Sequence, residues 1–555
     1  MTAKNGHNGK LNLSWLTSFD ALDLDVLDIR PEGQEMAKLT ESIVHAIGRP
    51  VDPFAVTATL ESMGWRDMDA RELFNKKDLF ELGREIYYRC QLYPQKNGRH
   101  NSNGQMHRSE SEIKSFLRYY GRGSLFMLPI VAQILVLFFL RFSLWASLDL
   151  SQAQATVVAI GTILSFIVTG GFVQSIGRDT IYYLSMKQYL LVKKSFYKQL
   201  TLGVGVICLF AFSLFVFNLI FPFYGLRMSI VMLTYFVLLA LLWLLLSILY
   251  VIKHYVAILA VTLLGVVPVY LIMHYADWGI YRAHFTGLVV ANILAFGYGY
   301  LWLRLKSQGG DEEARLPRVS TMTYLLSPYF IAGLVYFVFL FADRLVGWSA
   351  ANGEALPFII WFRTPYELGM DWALVSLLLT VAMLEYSIER FSRLLVPKQQ
   401  SCSIRAVRRF STFFRRFYKR QFILLIVIGT ISIFVTYFAI LLLRRWDSVR
   451  EIHDFFSHRI TFFTFYFAAP GYFFLSVGLL NTLLFFTLSR PGFTLKSILP
   501  ALATDVAIGF AASRWFGYEY AVLGLLAGGL VYALVSTGYI RKYLKDLDYY
   551  YYSAF

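Results

Sequence analysis

Charge is scarce in this chain. Asp, Glu, Lys and Arg make up 16% of its 555 residues, against 57% hydrophobic and 17% aromatic residues. That excludes an ordinary soluble protein, in which about 25% of residues are charged. Cysteine is scarcer still. Cys90, Cys208 and Cys402 share no metal-ligand spacing and are scattered between a polar segment, an apolar run and a basic stretch. No disulfide framework and no metal site are therefore expected. A Walker-type phosphate loop is also missing, and no other cofactor motif stands in its place. Energy for any work would come from an ion gradient or a separate protein. The first residues lack the charged, apolar and small-residue pattern of a secretory signal, so the N-terminal region is expected to stay in the cytoplasm.

What the chain does have is apolar runs of about 20 residues, the length that crosses a hydrocarbon core roughly 30 Å thick. Twelve spans are expected: 124–146, 154–177, 201–221, 228–251, 254–275, 283–303, 322–346, 367–387, 421–443, 464–486, 494–516 and 520–538. Residues 1–123 carry 17 basic and 17 acidic side chains, so the net charge of +16 belongs to the membrane part. With the N-terminus inside, 25 Lys and Arg fall on the inner side and 10 on the outer, and 10 of the inner ones lie in Arg390 to Arg420 alone. The positive-inside rule then puts both termini in the cytoplasm. Basic charge in such a setting reads as orientation and contact with anionic lipids rather than nucleic-acid binding.

The expected organisation is an all-α polytopic membrane protein with a small helical module in front. Residues 1–33 read as a flexible arm, 34–90 as a cytosolic helical module and 91–123 as a linker. A six-helix bundle over 124–303, a linker over 304–321, a second bundle over 322–540 and a tail over 541–555 follow. In the module, Met36, Leu39, Ile43 and Ile47 keep helical spacing, as do Leu79, Leu82 and Ile86. Asp52 before Pro53 is a helix start.

A faint repeat links the two bundles. Gln174-Ser175-Ile176-Gly177-Arg178 ends the second span and Tyr386-Ser387-Ile388-Glu389-Arg390 ends the eighth, 212 residues later. Both are followed by long basic stretches with aromatics, such as Phe413 to Arg420, which read as amphipathic helices on the inner interface. Pro129 and Pro328 sit early in spans one and seven, where a missing backbone hydrogen bond would bend a helix that must move.

Ionisable residues inside spans are costly and mark candidate transport pathways. They are Asp343 and Arg344 at the outer end of span seven, Asp371 at the start of span eight, Glu385 at its inner end and Asp505 inside span eleven. Asp505 reads equally as a carboxylate that binds a cation or proton and as a packing hydrogen bond. Glu385 and Glu389, one turn apart beside Arg390 and Arg393, read as a coupling site or an ion-pair cluster. Arg141 is a candidate contact for an anionic saccharide, with snorkelling to head groups as the plainer account. Gln133, Gln174, Asn218, Asn292 and Asn481 would line a cavity or tie helices together, more often the latter. Outer-loop residues Asp447, Glu451, His453, Asp454 and His458 could do acid and base work, which leaves a polymerase or transferase as an alternative.

Two parallel halves with bent first and seventh helices resemble the multidrug, oligosaccharidyl-lipid and polysaccharide (MOP) flippase superfamily. Asp343-Arg344, Trp348 and Tyr366-Glu367-Leu368-Gly369-Met370 through Leu374 and Ser376 to Glu385 are similar to the Pel exopolysaccharide transporter (PelG) family. The resemblance implies a non-enzymatic inner-membrane exporter of a polysaccharide or lipid-linked saccharide, working by alternating access beside a glycan synthase or accessory subunits. A drug or small-solute antiporter of the same fold is the other alternative.

Overall fold

The computed structural model describes residues 31–47, 50, 52–92, 118, 120–121, 123–276, 278–308, 316–351, 356–400, 407–445 and 458–552. Residues 1–30 of the expected arm over 1–33, most of the linker after residue 92 and the outer-loop residues Asp447, Glu451, His453 and Asp454 lie outside them.

Four short helices form the N-terminal module: α1 (Pro31–Ile47), α2 (Pro53–Ser62), α3 (Asp67–Phe74) and α4 (Leu79–Leu92). Asp52 caps α2 by accepting a 2.8 Å hydrogen bond from the Ala55 N–H, and Pro53 needs none in the first turn. The spaced apolar residues Met36, Leu39, Ile43, Leu79, Leu82 and Ile86 are all buried in one core with Val56, Leu60 and Phe74. At Gly83 an added Cβ would collide with the Thr57 hydroxyl, so a bare backbone lets α4 lie against α2.

Among the described residues the membrane part has twelve apolar helices, eleven of them long enough to cross a bilayer. The first half holds α5 (Leu128–Leu140, entered through a 3-10 turn at Leu125–Met127), α6 (Gln152–Ser185), α7 (Tyr189–Ile220), α8 (Leu226–Val251), α9 (Tyr255–Leu271, continued by a π turn at Ile272–Ala276) and α10 (Ile280–Lys306). The second holds α11 (Val319–Trp348), α12 (Thr364–Gln400), α13 (Val407–Arg444), α14 (Arg459–Thr487), α15 (Pro491–Trp515) and α16 (Val522–Lys545). A short α17 (Leu547–Tyr552) follows.

Three expectations are corrected. The first span stops at Leu140 because Arg141 takes a left-handed conformation (φ 68°) and the chain turns back on itself, Phe142 bridging Ser147. Gln133 Oε1 accepts the Leu144 N–H at 3.1 Å, and Leu144 is buried where Gly265 and Gly287 leave room for it. The apolar residues beyond 140 thus cap a bundle instead of lengthening a helix. Second, the basic aromatic stretches are not separate interfacial helices. They extend α6, α7, α12 and α13, because their apolar residues keep helical spacing: Phe410, Phe414, Tyr418 and Leu425, with the amide Gln421 on the same face, are buried along α13 while Arg415, Arg416, Lys419 and Arg420 stay exposed. Third, Pro129 lies in the first turn of α5, where the missing N–H breaks no helical bond. Pro328 is interior to α11, as are Pro268 in α9, Pro470 in α14 and Pro500 in α15 to their helices.

One helix elbow recurs in both halves. Ser175 donates to Gln199 Oε1 at 2.8 Å between α6 and α7, and Ser387 donates to Gln421 Oε1 at 3.2 Å between α12 and α13. The same elbow carries Lys193-Lys194 and Lys198-Gln199 in one half and Arg415-Arg416 and Arg420-Gln421 in the other. Helices α6 and α11 meet closely along the seam. A Cβ on Gly333 would collide with the Gly170 carbonyl oxygen, the small-residue approach by which helices associate in lipid. Phe166 stacks on Phe337 beside it, ring centroids 5.4 Å apart.

Candidate functional site

The second half gathers ionisable residues at one end of α11 and α12. Asp343 and Arg344 are consecutive on α11, so they leave the helix in different directions; Glu367 and Asp371 are one turn apart on α12 and share a face. Arg344 donates to Glu367 in a short ion pair, to Asp371 at 3.3 Å and to the Tyr472 hydroxyl of α14 at 3.3 Å. Tyr366 donates to Asp343 at 2.9 Å. Asp343, Arg344 and Glu367 are buried, whereas the Asp371 side chain is 60% exposed, the open edge of the group.

Asp505 adds a fourth carboxyl from α15. It is fully buried and within electrostatic reach of Asp343, and among the described residues neither of its oxygens has a hydrogen-bond partner. Glycines make its place: a Cβ on Gly524 of α16 would lie 2.6 Å from Asp505 Oδ1, and one on Gly528 2.8 Å from its Cβ. Asp343 Oδ1 and Glu367 Oε2 are likewise unpartnered there. Three carboxyls around one guanidinium, with Asp505 beside Asp343, leave excess negative charge, and burying an uncompensated charge costs several kcal/mol. The arrangement calls for protons or a cation. Among the described residues no three His, Cys, Asp or Glu stand in metal-holding geometry.

Of the residues singled out from the sequence, Asp343, Arg344, Asp371 and Asp505 come together. Glu385 and Arg141 do not. Glu385 lies far along α12, packed near Gly123, and its neighbour Glu389 pairs with Lys253 at 3.2 Å and Arg393 at 2.5 Å. Arg141 pairs with Asp149 at 2.6 Å, both about half exposed. The span amides tie structure together: Asn218 bonds the Tyr224 backbone both ways, Asn292 donates to the Leu238 and Leu288 carbonyls, and Asn481 joins Tyr418, Ser536 and Thr537. His458 is the N-cap of α14.

Sequence reasoning misses Glu367 and Tyr472 as site residues. Glu367 had a readable signal, four residues before Asp371 on one helical face; Tyr472, in an aromatic-rich run, had none. Asp179 was also missed. It is buried at the α6–α7 elbow, accepting from Ser195 and, at 3.3 Å, from Gln199.

The halves are bridged at both ends of the seam. At the acidic end, the segment after α11 crosses to the first half: Gln152 donates to the Phe362 carbonyl at 2.6 Å, the Phe362 N–H to Thr156 at 3.1 Å and Tyr224 to the Ile360 carbonyl at 3.1 Å. At the basic end, Arg178 donates to Ser489 at 2.6 Å and Lys253 pairs with Glu389.

A fold of this kind is known among multidrug exporters. A point mutant of the Vibrio cholerae MATE transporter VcmN superposes with a TM-score of 0.53 at 16% identity, over 78% of this chain and 98% of that one. A MATE protein in complex with MaL6 gives 0.56 at 12% identity, over 78% and 97%. An outward-facing multidrug resistance MATE family transporter of the MOP superfamily gives 0.50 at 11% identity, over 78% and 96%. No curated protein matches the chain. The family model of the PelG exopolysaccharide exporter (EPS-E) matches residues 126–552. The chain belongs to that family, a multi-span membrane exporter or flippase rather than an enzyme.

Proposed function

We propose that this protein moves a polysaccharide, or a lipid-linked saccharide, outward across the inner membrane by alternating access, its two six-helix halves rocking about the α6–α11 seam. The family match over residues 126–552 supports the substrate class. The observation that carries the mechanism is the group of buried Asp343 and Glu367 and exposed Asp371 around Arg344, with Asp505 buried beside Asp343 and its oxygens unpartnered among the described residues. A proton or monovalent cation entering past the exposed Asp371 would neutralise it. Arg344 would then change partners among the carboxyls, and a change at the roots of α11 and α12 is a change in how the second half meets the first. The bridges at the two ends of the seam would break alternately. Both termini would face the cytoplasm, where the basic ends of α6, α7, α12 and α13 lie by the positive-inside rule. The helical module over 34–90 would there meet a glycan synthase or accessory subunit. Arg141, held by Asp149, would serve the outer rim rather than the substrate path.

Deleting the gene in its native host and analysing the sugars of washed cells and lysates tests this reading. Loss of surface polysaccharide with precursor retained inside is the expected result. Unchanged glycan in both fractions contradicts it and favours a small-solute antiporter.

A further inference from the structure

A cavity of about 220 Å³ opens between the two halves, away from the acidic group. Phe172 of α6 and Phe330 of α11, packed edge to face with ring centroids 5.0 Å apart, lie at its deep end. Leu202 of α7 and Leu326 of α11 line its apolar wall. At the other end, toward the starts of α7 and α11, sit Lys198 and Met322, the Lys198 ammonium 3.5 Å from the Met322 sulfur. Among the described residues Lys198 makes no salt bridge. The nearby carboxylate of Asp179 is already engaged by Ser195 and Gln199. A half-buried ammonium carries three donors, and although the Asp179 charge lies within electrostatic reach, among the described residues no anionic acceptor stands in hydrogen-bond contact with Lys198.

The polarity runs one way, from a cationic mouth to an aromatic floor. Lys193 and Lys194 flank the mouth in sequence and add to the positive field that draws anionic lipid. The volume is below the roughly 300–1,000 Å³ of pockets that enclose a whole drug-sized ligand. It suits part of one chain, and its ring and alkyl lining suits hydrocarbon better than hydroxyl-rich sugar. We propose that this cavity is a binding site for an anionic phospholipid of the surrounding bilayer, one acyl chain inserted between α7 and α11 and the phosphate on Lys198. Because the occupant touches α6 and α7 of one half and α11 of the other, it binds best while the halves are apposed here, and it favours that arrangement. This site stands apart from the identity of the exported saccharide.

The full-length protein in nanodiscs, with a trace of phosphatidylglycerol or phosphatidylcholine carrying a diazirine at mid-chain, supplies the test. Irradiation and peptide mapping should place the phosphatidylglycerol label on peptides containing Phe172, Leu202 and Leu326. Lys198→Gln should reduce it about fivefold, the effect of one basic group near the surface, and Lys198→Arg should restore it. Leu326→Trp fills the cavity without altering charge and should remove the label from folded, monodisperse protein. Equal labelling by the two lipids, or labelling that survives either Lys198→Gln or Leu326→Trp, overturns the proposal.

Discussion

The two halves share a plan but place their polar groups at opposite ends. In the first, the buried carboxylate is Asp179 at the α6–α7 elbow, satisfied by Ser195 and Gln199. At the matching elbow of the second half, Ser387 and Gln421 are kept, but rings fill the remaining space: Phe391 lies 5.2 Å from Phe414 and 6.0 Å from Phe417. The second half instead has its buried carboxyls at the far end, Asp343 and Glu367 by Arg344 and Asp505 beside Asp343, and leaves several of their oxygens unpartnered among the described residues. One polar cluster is closed and the other is open. A saturated network fixes two helices in one arrangement, whereas an unsaturated one has more than one way to be satisfied. Under the proposed mechanism the elbows hold the structure and the acidic end does the switching.

The sharpest break of that contrast is Arg344→Leu, which leaves the buried Asp343 and Glu367 carboxyls without their cation. It should destabilise the protein by about 3–5 kcal/mol, seen as loss of monodisperse material and a large fall in melting temperature. Gly333→Val comes next. Its Cβ would collide with the Gly170 carbonyl, and overpacking of this kind costs about 1–3 kcal/mol; thermal unfolding of the purified protein measures it. At the closed cluster, Asp179→Ala strands the Ser195 and Gln199 donors and should cost about 1–3 kcal/mol, with export of the surviving folded protein intact. Ser387→Ala removes one hydrogen bond from the other elbow and should cost only about 0.5–1.5 kcal/mol. If Asp179→Ala instead stops export at normal folded levels, the division between closed and open clusters fails.

The span pattern was legible because lipid demands long apolar helices, and eleven of twelve expected spans are helices of crossing length. The twelfth fell short for a reason hydropathy does not carry: Phe142, Leu144 and Trp145 are as apolar as a helix would be, but a left-handed turn at Arg141 folds them over the bundle. The basic stretches misled for the converse reason, since a drop in hydropathy reads as a separate interfacial helix even where Phe410, Phe414 and Tyr418 keep one buried face continuous with the span. The repeat was visible around Ser175 and Ser387 but not at Gln199 and Gln421, because the longer connection in the second half shifts the register before that pair is reached. Within the acidic group, charges in apolar runs pointed to Asp343, Arg344, Asp371 and Asp505. Their convergence with Tyr472 is a product of helix packing, which spacing along one helix cannot disclose.

Asp505→Asn is the most direct probe of the open cluster, since it keeps the shape of the side chain and removes the titratable group. Surface polysaccharide should fall to the level of the deletion strain while the amount of folded protein in the membrane stays unchanged. Export at the normal rate from Asp505→Asn would contradict a switching role for the acidic end.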